Sequence, residues 1–277
     1  MSMLTISQPR SDRGDPRSDP RAGLLTATYL LVVRQLRATI RQPVWLFSGL
    51  MTPLLYLALF APLLKGLGTS LATTPGYAGG SVVDGFMPGM LVMFAFGAGT
   101  GTGWIVINEL NAGVTERLRV TPISRLAILL GTTIKDAIMF VIPAIVVVAV
   151  STLFGFHIHW AGLALTLLLL ALMTAATSAA VGAVGLTVKQ IGSIAAVVTM
   201  LQLPLTLLAG ILLPMSLGPA WLRGIAHVNP LYYATDAARH LCANQFGAPG
   251  VTGFAVIGGL LVLALLWGNR VYNKVVA

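Results

Sequence analysis

The longest charged stretch that separates two apolar runs lies between residues 108 and 136. It comprises Glu109, Glu116, Arg117, Arg119, Arg125, Lys135 and Asp136. Carboxylates and guanidinium groups form charge-assisted hydrogen bonds, which are stronger than neutral ones. Pro122 disfavours helix at the residue before it, so we expect a short helix over about 111–119 and a turn at Thr121–Pro122. Such a helix could dock on another protein, although Glu116 and Arg117 taken alone are better explained as a solvated pair.

Motifs for catalysis or nucleotide binding are missing from the sequence. No lysine completes the Gly-x-x-x-x-Gly-Lys-Ser/Thr loop that cradles phosphates, and no Gly-x-Ser-x-Gly or His-Glu-x-x-His occurs. His157 and His159 form a pair without a nearby carboxylate or cysteine, which favours interfacial polarity over a metal site. We predict that the chain has no catalytic residue, no metal and no cofactor of its own. Cys242 is the single cysteine, so no intrachain disulfide can form.

The composition indicates that membrane spans position these residues. Hydrophobic residues make up 56% of the 277 residues and charged residues 9%, against about 25% charged in ordinary globular chains. This excludes a soluble enzyme, a disordered chain and a disulfide scaffold. The net charge is +9, but the basic residues lie at the ends of apolar runs, which argues against nucleic-acid binding. We expect an all-α polytopic membrane protein whose partner is the lipid bilayer.

Stretches without charge set the number of spans. One crossing needs about 20 apolar residues, so the 52 residues between Asp136 and Lys189 hold two crossings, with a turn near His157–Trp160. The sequence predicts a six-helix transmembrane domain over 43–269, with spans at about 43–64, 86–107, 135–156, 161–186, 191–213 and 251–269. Ionisable groups then lie near span ends, and Lys135–Asp136 is expected as a local pair at the inner end of the third span.

The basic residues also predict the orientation, because cytoplasmic segments carry an excess of Lys and Arg. With the N-terminus inside, 14 of the 17 Lys and Arg residues fall on inner segments. Both termini are therefore predicted to be cytoplasmic. Residues 1–22 are rich in Ser, Asp, Arg and Pro and are expected to be a disordered tail, and residues 270–277 a second, short tail.

Residues 23–42 predict an amphipathic helix at the membrane interface. Tyr29, Val33, Leu36 and Ile40 recur at helical spacing, and three arginines recur one position later: Arg34, Arg37 and Arg41. The apolar face would lie in lipid, with the arginines as anchors at the headgroups. The helix could serve as an orientation signal alone or could also contact a cytosolic partner.

Two further segments carry glycine and proline patterns. The second span contains Gly97, Gly99, Gly101 and Gly103, which form two overlapping Gly-x-x-x-Gly spacings. Small residues let helices approach closely in lipid, so helix packing is favoured, with a glycine-lined pathway as the alternative. The outer segment 214–250 is punctuated by Pro and Gly and carries interfacial aromatic residues. It predicts one or two short outer-leaflet helices before the last span.

Two stretches resemble the ABC-2 type transporter permease family. Residues 109–125, ELNAGVTERLRVTPISR, resemble its cytoplasmic pattern Glu-x-x-x-Gly-Thr-x-Glu-Arg-Leu-x-x-Thr-Pro-x-Ser-Arg. Residues 229–239, NPLYYATDAAR, resemble its Asn-Pro-x-x-Tyr-x-x-Asp-x-x-Arg before the last span. Within the family, the chain looks most similar to bacterial drug-export permeases of the daunorubicin-resistance type.

The resemblance implies roles for particular residues and partners. Residues 108–125 would couple the chain to a separate cytosolic ATPase, through Glu109, Gly113, Glu116, Arg117, Leu118, Arg119, Thr121, Pro122, Ser124 and Arg125. The outer-segment motif would be Asn229, Pro230, Tyr233, Asp236 and Arg239. The ATPase would bind ATP and Mg²⁺, and a second permease, identical or related, would complete the unit in the bacterial cytoplasmic (inner) membrane.

Three functions are compatible with the sequence. The expected one is outward export of an amphipathic or lipophilic compound of the drug or antibiotic class, by alternating access between two protomers near the second and fifth spans. The second is export of a lipid, polysaccharide or other cell-envelope glycoconjugate by the same architecture. The third is an ATPase-independent channel or secondary carrier. The scarcity of aromatic residues in the spans mildly favours lipophilic cargo over glycans.

Overall fold

The computed structural model describes residues 20–40, 49–60, 62, 82–112, 125–188, 190–211, 215 and 218–275 of the chain. Throughout these ranges the regular structure is helical, in agreement with the predicted all-α class. The helices are α1 (Pro20–Ile40), α2 (Gly49–Phe60), α3 (Val82–Thr100), α4 (Thr102–Asn111), α5 (Arg125–Thr152), α6 (Trp160–Val188), α7 (Ile191–Leu208), α8 (Ala220–Ala226), α9 (Pro230–Cys242) and α10 (Ala248–Val275).

Among the residues that the structure describes, five helical stretches are long and apolar enough to cross a membrane. They are α3 and α4, which continue each other through Gly101, together with α5, α6, α7 and α10. The first predicted span, 43–64, contains the shorter apolar helix α2, and most of its remaining residues lie outside the described ranges. The chain is thus a multi-pass membrane protein, and the count of six spans stays a prediction.

Helix α6 lies at the centre of the bundle. It contacts α3, α4, α5, α9 and α10, whereas α7 contacts its neighbours sparsely. A helix that is apolar all round is a buried helix, and α6 carries apolar and small residues on every side. Its buried positions include Leu169, Leu170 and Met173, which pack with Met87 of α3 and Phe140 of α5 in the main core.

Two helices differ in extent from the predicted spans. Helix α5 begins at Arg125, ten residues before the predicted start of the third span at 135, and it ends at Thr152. Its first turns are apolar, and the charged residues that follow are paired within the bundle, so they do not end the helix. Helix α10 continues to Val275, past the predicted limit of 269, and most of the predicted tail 270–277 is therefore helical.

The segments between the spans take three forms. The predicted turn near His157–Trp160 is present as a non-helical stretch over 153–159. Helix α7 ends at Leu208 instead of 213, because Gly210 takes a positive φ of 67° that turns the chain. Two short helices, α8 and α9, then occupy the region between α7 and α10, as the glycine and proline pattern predicted. Residues 1–19 lie outside the described ranges.

Candidate functional site

A cavity of about 790 Å³ lies between α2, the α3–α4 pair and α5. Sites for drug-sized molecules have volumes of roughly 300–1,000 Å³. The end of α1 contributes Ala38 and Thr39 to the wall, and α7 contributes Gln202. Helices from the first, second, third and fifth predicted spans therefore line one cavity within a single chain.

Apolar and aromatic side chains form most of the described wall. They are Tyr56, Met90, Met93, Phe94, Ile105, Met139, Phe140 and Pro143. The rings of Phe94 and Phe140 are tilted against each other with centroids 5.5 Å apart. Methionine side chains are flexible and polarizable, so they adapt to ligands of different shape. This wall suits a lipophilic body without demanding one exact outline.

A buried charge pair lies on the same wall. The Nζ atom of Lys135 is 2.6 Å from Oδ1 of Asp136, and both residues are buried. The hydroxyls of Thr102 and Ser178 each donate a hydrogen bond of 2.5 Å to Oδ2 of Asp136. The network joins α4, α5 and α6, and it satisfies both carboxylate oxygens, which is the condition under which a buried ion pair is tolerated.

The local pair that the sequence predicts for Lys135 and Asp136 is present, and the two are the eleventh and twelfth residues of the 28-residue helix α5. An isolated charge is costly in the membrane interior. Here the Asp136 carboxylate is compensated by Lys135 and by the hydroxyls of Thr102 and Ser178, which come from other helices. The position of the pair at the inner end of the membrane span stays a prediction.

Glu109 also lines the cavity, near the end of α4. Its side chain is half-buried and interacts electrostatically with Lys135 and Arg34. The resemblance assigned Glu109 to coupling with an ATPase, and that role stays a prediction. The structure adds that the residue belongs to the same cavity as the buried pair.

All but one of the remaining predicted coupling residues lie outside the described part of the chain. Gly113, Glu116 and the other predicted residues up to Ser124 lie outside the described ranges, as does the short helix expected over about 111–119. Arg125 is the first residue of α5. The coupling assignment therefore rests on the sequence alone.

The four glycines of the second span divide into two pairs with different surroundings. A Cβ at Gly99 would lie 2.7 Å from the carbonyl oxygen of Thr174, and one at Gly103 would overlap Cδ1 of Ile194 in α7 and lie 2.8 Å from Cγ1 of Val181 in α6. Gly99 therefore lets α3 approach α6 closely, and Gly103 lets α4 approach α6 and α7. Gly97 and Gly101 line the cavity instead. The packing interpretation thus fits Gly99 and Gly103, and a glycine-lined pathway at the other pair stays a prediction.

The arginines of α1 remain on its surface. Arg34 and Arg37 are exposed, and Arg41 lies outside the described ranges. Helix α1 packs against α5 through its buried residues Thr28 and Val32. The arginine positions are those that headgroup anchors would need, and the anchoring itself stays a prediction.

The first residues of the outer-segment motif organise the start of α9. The Asn229 side chain accepts a hydrogen bond of 3.0 Å from the Leu231 N–H, which caps the helix. Its Nδ2 donates to the Leu205 carbonyl at 2.6 Å, in the last turn of α7 where carbonyls lack helical partners. Pro230 occupies the first turn, where its missing N–H has no cost.

Arg239, the last residue of the motif, ties α9 to the end of α7 and to α3. Its buried guanidinium donates hydrogen bonds to the carbonyls of Gly85 (3.1 Å), Gly210 (2.7 Å) and Ile211 (3.1 Å). The turn that follows α7 is therefore fixed by one side chain. Arg239 is far from any predicted ATPase contact, and these hydrogen bonds give it a structural role.

The other motif residues have weaker roles. Tyr233 stacks edge-on against Tyr232 with ring centroids 5.5 Å apart. Oδ1 of Asp236 is 3.7 Å from Nδ1 of His240, one helical turn further along the chain, and the Asp236 side chain is 41% exposed. Further along α9, burial raises the pKa of the Cys242 thiol to about 11, against a smaller opposing effect of its hydrogen bond with Thr166.

The two histidines of the His-x-His pair have separate partners that the sequence did not reveal. The backbone N–H of His157 donates to Asp84 at 3.0 Å, and its ring nitrogen Nδ1 is 3.2 Å from the same carboxylate. His159 Nδ1 is 3.1 Å from the carbonyl oxygen of Cys242. The turn between α5 and α6 is thus held to the start of α3 and the end of α9.

Comparison with known proteins agrees with the sequence motifs and the fold. The chain is 24% identical over 246 residues to the daunorubicin resistance ABC transporter permease protein DrrB1 of Streptomyces coeruleorubidus, covering 88% of this chain and 82% of the relative. It is 26% identical over 219 residues to ycf38 of Cyanophora paradoxa, covering 78% and 74%. It is 30% identical over 144 residues to the inner membrane transport permease YadH of Escherichia coli (strain K12), covering 51% and 55%. The profile of the family described as ABC-2 type transporter matches residues 26–242. The chain therefore belongs to the ABC-2 type transporter family of membrane permeases.

Proposed function

We propose that this chain is the membrane subunit of an ATP-driven exporter that moves an amphipathic or lipophilic compound of the drug class outward. The observation that carries the proposal is the cavity between α2 and α5, with a broad apolar wall and a buried polar group at one side. Such a surface holds a molecule with a large lipophilic body and one polar part. The relative DrrB1 is named for daunorubicin resistance, which supports drug-class cargo.

The position of the cavity supports an outward route under the predicted orientation. Glu109 and Ala112, which line it, belong to the segment 108–125 that is predicted to be cytoplasmic. Cargo would enter the cavity from the inner leaflet or the cytoplasm and leave on the outer side after the two permeases of the unit rearrange. A separate ATPase would supply the energy, because the sequence contains no phosphate-binding loop.

Transport into everted membrane vesicles tests this proposal. The chain is co-expressed with the cytosolic ATPase that co-purifies with it, and uptake of a fluorescent lipophilic compound is followed. We expect uptake that requires ATP and that stops when the phosphate-binding lysine of the ATPase is replaced. A matched control is Asp236→Asn, which changes a half-exposed carboxylate outside the cavity and should leave uptake unchanged.

Two results would contradict the proposal. Uptake that is indifferent to ATP and follows an imposed ion gradient would indicate a secondary carrier. Loss of uptake of every lipophilic probe, together with accumulation of a glycolipid precursor in a deletion strain, would assign the exporter to the cell envelope.

A further inference from the structure

We propose that the cavity selects amphipathic cations, with the lipophilic body against the aromatic and methionine wall and the positive group beside Glu109. This inference deepens the proposed function and rests on it for the identity of the cargo. The side chains that form the binding site belong to this one chain.

The wall of the cavity carries unequal numbers of acidic and basic side chains. The charged side chains among its described lining residues are Glu109, Lys135 and Asp136. Lys135 and Asp136 neutralise each other at 2.6 Å, and the second oxygen of Asp136 accepts two hydroxyl hydrogen bonds. Glu109 is left over, so the described wall carries one more acidic than basic side chain.

The charged side chains of the wall differ in how well a bound ligand can reach them. The side chains of Lys135 and Asp136 are only 6% and 10% exposed, so a ligand reaches little of either. Glu109 is half-buried at the edge of the cavity, where a bound group can approach its carboxylate. Arg34 also interacts with Glu109, but Arg34 is exposed and is not part of the lining. Its charge is therefore screened by solvent more strongly than a charge inside the cavity.

The apolar part of the wall contains aromatic rings. Tyr56, Phe94 and Phe140 present aromatic rings to the cavity. The negative face of an aromatic ring attracts a cation and repels an anion. Rings and surplus carboxylate therefore favour the same sign of charge in the ligand, and the methionines tolerate variation in the shape of its body.

The test compares two ions of nearly the same shape and opposite charge, tetraphenylphosphonium and tetraphenylborate. The chain is placed in nanodiscs of phosphatidylcholine, and the binding of each ion is measured separately by equilibrium dialysis, with empty nanodiscs subtracted. No ATP and no partner protein are needed. We expect tetraphenylphosphonium to bind at least tenfold more tightly than tetraphenylborate.

Variants assign the preference to particular residues. Glu109→Gln should remove most of the tenfold difference, and Glu109→Asp should keep it. Asn108→Asp, which adds a third carboxylate to the lining, should enlarge the difference. This variant keeps the test decisive if Glu109→Gln fails to fold. Phe94→Ala should weaken binding of both ions, with the cation affected more. Asp236→Asn is the matched control and should change nothing.

Equal binding of the two ions, tighter binding of the borate, or a preference that survives Glu109→Gln would overturn the inference. A preference unchanged by every cavity variant would show that the cation binds elsewhere, and would overturn it as well. The proposed function fails separately: the expected binding pattern without ATP-dependent uptake in vesicles would leave the site standing and remove the export role.

Discussion

At the residue scale, the most consequential feature is a lysine and an aspartate buried together inside a membrane helix. Lys135 and Asp136 are adjacent in sequence, yet Asp136 also reaches Thr102 and Ser178 on two other helices. A buried charge of this kind is stable only while all its partners are present. The network therefore links α4, α5 and α6 through polar side chains, directly beside the cavity.

Lys135→Met should destabilise the chain, because it leaves the Asp136 carboxylate buried without its counter-charge. We expect a loss of about 3–5 kcal/mol in the free energy of unfolding, measured by SDS titration in detergent micelles with circular dichroism. The double variant Lys135→Met with Asp136→Leu removes both charges and should recover most of the loss. Wild-type stability in the single variant would show that Asp136 is not buried as described.

At the element scale, close contact between α3–α4 and α6 depends on two glycines. Gly99→Ala places a Cβ about 2.7 Å from the backbone oxygen of Thr174, which cannot move without disturbing α6. We expect a cost of roughly 1–3 kcal/mol. Gly97→Ala is the matched control, because nothing lies within 4 Å of its Cβ. It should be neutral within about 0.5 kcal/mol.

The same unfolding titration measures both glycine variants. Equal effects at the two positions would contradict the division of the glycines into a packing pair and a cavity pair. A larger loss for Gly97→Ala would reverse it.

The elements also show which parts of the fold the sequence could predict. The apolar runs and the basic residues beside them indicated the helical class and the approximate position of each described span. They did not locate the start of α5 at Arg125, because the predicted span begins only at the charged pair Lys135–Asp136. The pair lies inside the helix, where Asp136 accepts hydrogen bonds from hydroxyls of α4 and α6. Charge-free stretches therefore mark where a helix can cross a membrane, but they do not mark where the helix itself ends.

The candidate site was predicted in part. Glycine spacing pointed to α3–α4, and the structure assigns one Gly-x-x-x-Gly pair to packing and the other to the cavity. The outer-segment motif was recognised only by resemblance, since nothing in its spacing reveals that Arg239 binds three carbonyls on other segments. The cavity itself could not be predicted, because its wall comes from helices distant in sequence.

At the scale of the whole molecule, the chain combines a helix junction held by polar side chains with a cavity that reaches the segment predicted to be cytoplasmic. Asn229 and Arg239 fix the junction of α7, α9 and α3. The cavity lies between α2, α3–α4 and α5, and its lining includes Glu109 and Ala112 of the predicted coupling segment. A movement imposed on residues 108–125 would therefore reach α4 and α5, the two helices that hold the buried pair.

The central claim is that this permease works with a separate ATPase docked on residues 108–125. The most direct measurement is a tagged pull-down from native membranes in mild detergent, read by mass spectrometry. We expect a cytosolic protein with a phosphate-binding loop to co-purify in about equal amount, and to be lost when Glu116 and Arg117 are both changed to Ala. The matched control changes the Asp236 and His240 pair of α9 and should retain it. If no ATPase co-purifies under conditions that preserve a known transporter complex, or if the ATPase is retained after Glu116 and Arg117 are replaced, the claim is contradicted.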